Sequence, residues 1–141
     1  MCRFVVYHGH PVLIADLLYR PKHGLVEQSM RSEQSFQSYN ADGFGIGFYT
    51  EGFPNPCVIR STTPAWANTG LQELSNRVYS TRIFGHVRAA SPGLEVQTTN
   101  CHPFTAGRYQ FMHNGAIGDF RKVKRQIQNA LSDVGMYSRF N

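Results

Sequence analysis

The sequence predicts a single α+β domain, and three observations carry that prediction. Short runs rich in branched and aromatic residues come in groups. Helical spacings fall between those groups, and no regular strand–helix–strand alternation joins the two. At 141 residues the chain has the length of one ordinary domain, enough to bury a core. With 41% hydrophobic and 16% charged residues it belongs with globular rather than disordered chains. No internal repeat and no linker divides it, so residues 1–141 read as one unit.

Residues 3–7, Arg-Phe-Val-Val-Tyr, read as a first strand. Pro11, followed by Val12, Leu13, Leu17 and Leu18, marks the start of a short helix or turn. Residues 31–40 are polar and aperiodic, a loop. Residues 43–49 alternate glycine with large apolar groups, a strand whose glycine face lets another backbone or a ligand come close. Residues 57–60 return as its hairpin partner across the Gly-Phe-Pro-Asn-Pro turn. Pro64 opens a helix with Leu71, Leu74 and Val78 three and four apart. Residues 82–88 and 109–113 read as further strands, separated by a long irregular stretch, 91–103, of the kind that is often functional. From Ile117 onward, Phe120, Val123, Ile127 and Leu131 define an amphipathic helix.

The net charge of +5 concentrates in residues 121–125 of that last helix. Without an adjoining aromatic set to stack bases, the run reads as a solvated face, and no nucleic-acid partner is expected. Three cysteines, Cys2, Cys57 and Cys101, form no close pair, which points away from a disulfide framework and toward a reducing compartment. Arg3 and the Tyr7-His8 pair interrupt the apolar start, so no signal peptide is expected, and nothing approaches a membrane span. The expectation is a soluble cytoplasmic protein. His8 and His10 flank Gly9 in an expected turn, and with Cys101 and His102 they fit no usual zinc spacing, so neither metal nor cofactor is expected.

Chemistry concentrates in four segments. Cys2 stands directly behind the initiator methionine, and a small residue there favours methionine removal. Processing would place a free α-amino group beside its own thiol, nucleophile and base in one residue. The plainer reading of Cys2 is a small buried apolar residue at the head of a strand. The other segments are residues 84–91 (Phe-Gly-His-Val-Arg-Ala-Ala-Ser), 99–104 (Thr-Asn-Cys-His-Pro-Phe) and 113–115 (His-Asn-Gly). Alone, each has an ordinary explanation: Arg88 an ion-pair partner, His113 a structural histidine, Asn114-Gly115 a hairpin turn. A helix follows that last pair, however, and fits a hairpin poorly.

Taken together with residues 40–49, and in this order along the chain, the segments resemble class II glutamine amidotransferases, which are N-terminal-nucleophile hydrolases. The likeness is strongest to the stand-alone subfamily acting on γ-glutamyl compounds, whose settings include ergothioneine biosynthesis and glutathione breakdown. The resemblance implies a four-layer αββα sandwich. It implies that Cys2 attacks a γ-amide carbonyl with its own α-amino group as base, a group with an ordinary pKa of about 7.7–8.0. It further implies an oxyanion hole from the Asn114 side chain and the Gly115 N–H, and a grip on the substrate α-carboxylate by Arg88 with help from the Ser91 hydroxyl. His102 would order the nearby loop, His86 and His113 would be structural, and Cys57 and Cys101 would be buried without a role.

The sequence departs from the family at its end. The family's later acidic residue, which binds the substrate α-amino group, has no match before Asn141, since neither Asp119 nor Asp133 sits in the expected context. The expectation is therefore a domain incomplete at its C-terminus, with unpaired sheet edges that invite homo- or hetero-oligomer formation. The leading function is cleavage of the γ-glutamyl amide of glutamine or another γ-glutamyl small molecule. The alternative is an inactive scaffold completed by a partner subunit, and a third reading is a zinc- or nucleic-acid-binding module. Specificity for the leaving group is expected in residues 31–40 and in the segment beyond Asn141.

Overall fold

The computed structural model describes residues 2–31, 40–90 and 95–131. An antiparallel four-stranded sheet organises them, in the order β1 (Arg3–Leu13), β4 (Tyr79–Val87), β2 (Phe44–Phe48), β3 (Cys57–Ser61). Strand β4 runs through the middle, pairing Val87 with Arg3 on one side and with Phe44 on the other. Side chains alternate across it. Ile83 and Val87 face one way, with Phe44, Ile46 and Phe48 of β2 beside them. Against this face pack α1 (Ala15–Leu18), α2 (Leu25–Met30) and α3 (Thr69–Ser75) through Ile14, Leu18, Leu25, Val26 and Leu71. Each of these fully buried side chains is worth about 1.5–3 kcal/mol of transfer free energy. A turn of 3₁₀ helix, Ala65–Ala67, leads into α3.

The opposite face of the sheet is lined by Gly45 and Gly47, and the predicted glycine face does admit another backbone. A β-carbon on Gly45 would lie 1.8 Å from the carbonyl oxygen of His102, and one on Gly47 would lie 1.7 Å from Gln110 Oε1. Only glycine lets the 101–103 segment and the hairpin of β5 (Phe104–Ala106) and β6 (Tyr109–Phe111) sit so close. Arg60 of β3 ties the two layers, its Nε donating to the Pro103 carbonyl at 2.9 Å. Gly45→Ala is accordingly expected to destabilise the protein by about 3 kcal/mol or more, because backbone rather than a flexible side chain must move. Denaturant unfolding measures this, and an unchanged midpoint would contradict the packing described.

Several sequence expectations need correction. Pro11 starts no helix: β1 continues through Leu13, and the proline sits on an edge strand where the ladder with β4 breaks between His8 and Val12. An edge strand with an irregularity is where a missing N–H is tolerated. His8 and His10 therefore lie on that strand, both exposed, and not in a turn. Pro64 precedes only the 3₁₀ turn, and α3 starts at Thr69, capped by Asn68, whose side-chain oxygen accepts from the Leu71 N–H at 2.8 Å. Helix α2 and strand β5 were not expected at all. Cys57 is exposed rather than buried, whereas Cys101 is buried, and all three cysteines are free.

The last helix, α4 (Phe120–Asn129), forms as its spacing predicts yet buries none of its residues, leaving Phe120 and Ile127 exposed. Its basic run is solvated. Among the described residues no helix is long and apolar enough to cross a membrane. Residues 32–39, most of the expected polar loop, lie outside the described residues.

Candidate active site

Cys2, Arg88, Asn114 and Gly115, singled out from sequence, meet at one end of the sheet. Because β1 and β4 are antiparallel with Arg3 opposite Val87, Cys2 at the head of β1 falls beside the residues that leave β4. Its sulfur hydrogen-bonds in both directions with one residue: the Ala89 N–H donates to Sγ at 3.3 Å, and the thiol donates to the Ala89 carbonyl at 3.4 Å. The segment around Ala89 is itself pinned. The Arg88 N–H donates to the Gly43 carbonyl (2.8 Å), the Asp42 N–H to the Arg88 carbonyl (3.1 Å), and the Ala90 N–H to Asp42 Oδ2 (2.7 Å). Sequence reading placed Asp42 in a family segment but assigned it no task. The structure shows its carboxylate holding the turn against which Cys2 rests.

A cleft of about 580 Å³ opens here, with Cys2, His86, Arg88, His102, Asn114 and Gly115 in its lining. Arg88 is 5% exposed, yet only part of its guanidinium is satisfied. Nη2 donates to the Glu95 carbonyl at 3.0 Å, while Nη1 is buried with no partner among the described residues. A charged donor left bare in a buried site costs more than the usual 1–3 kcal/mol or so of an unmade hydrogen bond, and an anionic group in the cleft would relieve that cost.

Asn114 and Gly115 follow β6 and precede α4, in a bend and not a hairpin. Asn114 Nδ2 donates to the Cys2 carbonyl at 3.0 Å, which places the amide directly beside the cysteine. Its oxygen lies 3.2 Å from His86 Nε2. Gly115 has φ +118°, a conformation that side chains rarely adopt, so glycine is needed for its backbone and not for space: nothing lies within 4 Å of a β-carbon there. Ser91 lies outside the described residues, as does Asp133.

Behind these groups three imidazoles pack together. The His102 ring is 4.3 Å from that of His86, edge-on, and 4.7 Å from that of His113. Burial pushes both His86 and His102 down from the ordinary 6.5 to about 4, and the positive charge of Arg88 adds to the effect. Both are neutral in the folded protein at neutral pH. Below pH 6.5 the unfolded chain takes up protons that the folded chain refuses, so their stability contribution is present above 6.5 and is lost as pH falls toward 4. The expected loss between pH 7 and pH 5 is on the order of 4 kcal/mol for the two together. Urea unfolding across that range measures it, and a flat profile would show that the pair titrates normally. No group of histidine, cysteine or carboxylate side chains among the described residues is arranged to hold a metal ion.

An antiparallel sheet thus brings Cys2, Arg88 and the Asn114-Gly115 pair to one cleft. The chain belongs to the class II glutamine amidotransferases, whose family profile, described as "Glutamine amidotransferases class-II", matches residues 26–136. It is 40% identical over 141 residues to a protein of Saccharomyces cerevisiae named "Probable glutamine amidotransferase DUG3", covering 94% of this chain and 39% of that protein. It is 32% identical over 118 residues to a "Gamma-glutamyl-hercynylcysteine sulfoxide hydrolase" of Mycobacterium tuberculosis, covering 83% and 50%. The fold is also similar to the solved structure of a glutamine aminotransferase class-II domain protein from Silicibacter pomeroyi. That match has a TM-score of 0.64 at 26% identity, over 100% of this chain and 49% of the other. The chain thus spans about half the length or less of these relatives.

Proposed function

We propose that the protein is an amidohydrolase that cleaves the γ-glutamyl amide bond of glutamine or another γ-glutamyl compound through a thioester on Cys2. The observation that carries this reading is the single cleft shared by Cys2, the bare Nη1 of Arg88 and the Asn114-Gly115 pair. Removal of Met1 frees the Cys2 α-amino group, which takes the thiol proton as Sγ bonds to the γ-carbonyl carbon. Charge then develops on the carbonyl oxygen, where the second Nδ2 hydrogen of Asn114 and the Gly115 N–H receive it. As the C–N bond breaks, the α-ammonium returns its proton to the departing amine, leaving the thioester. Water, deprotonated by the same amine, attacks the thioester carbon, releasing the γ-carboxylate and restoring the thiol. Arg88 holds the α-carboxylate throughout, with Ser91 as a second donor. The relatives named for γ-glutamyl chemistry support this substrate class, and three free cysteines suit a reducing cytoplasm.

Release of glutamate from glutamine and from γ-glutamyl peptides tests this proposal. Arg88→Lys is expected to lower kcat/KM by about 10–100-fold, the worth of one charge-assisted, two-pronged contact. Amidating the substrate α-carboxylate should cost wild type as much and the variant little. Equal rates on free and amidated substrates would contradict the assignment of Arg88.

A second reading is favoured by one observation. On the site face of β1, Phe4 and Val6 are 48% and 52% exposed, an apolar strip beside Phe84 of β4. It supports a scaffold completed by a second polypeptide. Size-exclusion chromatography separates the two readings, since a compact monomer that hydrolyses γ-glutamyl amides removes this one.

A further inference from the structure

We propose that His86, expected from sequence to be merely structural, is a positioning residue that holds the Asn114 amide with its N–H groups toward the reacting carbonyl. The inference rests on the proposed hydrolysis and adds to it a specific hydrogen-bond relay, from β4 to the oxyanion site.

The argument runs through donors and acceptors. The Cys2 carbonyl can only accept, so the end of the Asn114 side chain that meets it at 3.0 Å is the NH₂ group. The other end, Oδ1, then faces His86 Nε2 at 3.2 Å. An oxygen can only accept there, so Nε2 carries the hydrogen and His86 is the Nε2–H tautomer. Its Nδ1 is buried without a partner among the described residues, which a neutral ring's lone pair tolerates better than an N–H would. The ring is also poorly free to turn. His86 is 1% exposed and sits in the central strand, paired to Phe4 of β1 and Gly45 of β2, with the His102 ring edge-on against it.

With Oδ1 so engaged, one Nδ2 hydrogen goes to Cys2 and the other stays free for the cleft. The Cys2 carbonyl favours this orientation from one end, and the His86 donor fixes it from the other. Turned over, Asn114 would present lone pairs both to the Cys2 carbonyl and to the developing oxyanion, and loss of the His86 donor removes half of what opposes that state. His86 thus acts through Asn114 and not on the sulfur directly.

The test compares His86→Leu with His86→Gln, whose side-chain N–H reaches about as far as imidazole Nε2, and adds the His86→Leu/Asn114→Ala double variant. His86→Leu is expected to lower kcat about 100-fold, the loss of one oxyanion donor, with KM within about threefold. His86→Gln should recover to within about tenfold of wild type. The double variant should be no slower than Asn114→Ala alone. Equal impairment of the leucine and glutamine variants, or losses that multiply in the double variant, would overturn the inference. An ¹⁵N NMR spectrum of the wild-type imidazoles reads the relay without activity, and an Nδ1–H tautomer at His86 overturns it even if variants misfold. If wild type hydrolyses no γ-glutamyl amide, the parent reading fails by itself, while the tautomer still decides whether His86 orients Asn114.

Discussion

Replacing Cys2 by alanine is expected to abolish γ-glutamyl hydrolysis, lowering kcat by at least about 10⁴-fold, as loss of a covalent nucleophile does elsewhere. The fold should survive. Cys2 is only partly buried, and among the described residues its sulfur makes two long hydrogen bonds, both to Ala89. The Asn114 bond goes to the Cys2 backbone carbonyl and is indifferent to the side chain. A near-native melting temperature with no glutamate release is therefore the expected pair of results. Substantial hydrolysis by the variant would mean that some other group attacks the amide.

Asn114→Ala carries the next largest effect, and here the loss should fall on kcat. Removing one oxyanion donor costs about 2.7–4 kcal/mol of transition-state stabilisation, or 10²–10³-fold. The grip proposed for Arg88 on the substrate carboxylate is untouched, so KM should move little. The change also removes the Asn114 acceptor from His86, whose ring keeps a backbone contact with His113, so the expected stability cost is about 1 kcal/mol. Steady-state kinetics and urea unfolding on the same sample measure both. A rise in KM with kcat unchanged would place Asn114 in substrate binding and remove it from the oxyanion site.

Much of this was legible in the sequence, for identifiable reasons. Strands β2, β3 and β4 were visible because glycine alternation and branched runs have a period of two, and the glycine face of β2 foretold the close second layer. Helix α2 was not, because six residues hold too few turns for periodicity and its Gly24 cap contributes no side-chain signal. Pro11 misled because a proline reads as a helix start until the edge strand around it is known. Of the site, Cys2, Arg88, Asn114 and Gly115 were nameable from segments that matched a family in order. Their lining of one cleft depends on the pairing of Arg3 with Val87, a long-range register that no local pattern states. The same holds for Asp42 and His86. Each matters through a partner 28 or 48 positions away, and neither shows a local motif for that partnership.

The central claim is that Cys2, freed of Met1, is the nucleophile for a γ-glutamyl carbonyl. Its most direct measurement is treatment of the protein with a glutamine-analogue diazoketone, followed by intact mass and peptide mapping. The expected result is a single adduct, on a Cys2 that has become the first residue, protected by glutamine. An adduct on exposed Cys57 or buried Cys101, or a Cys2 that keeps Met1 and stays unlabelled, would contradict the claim.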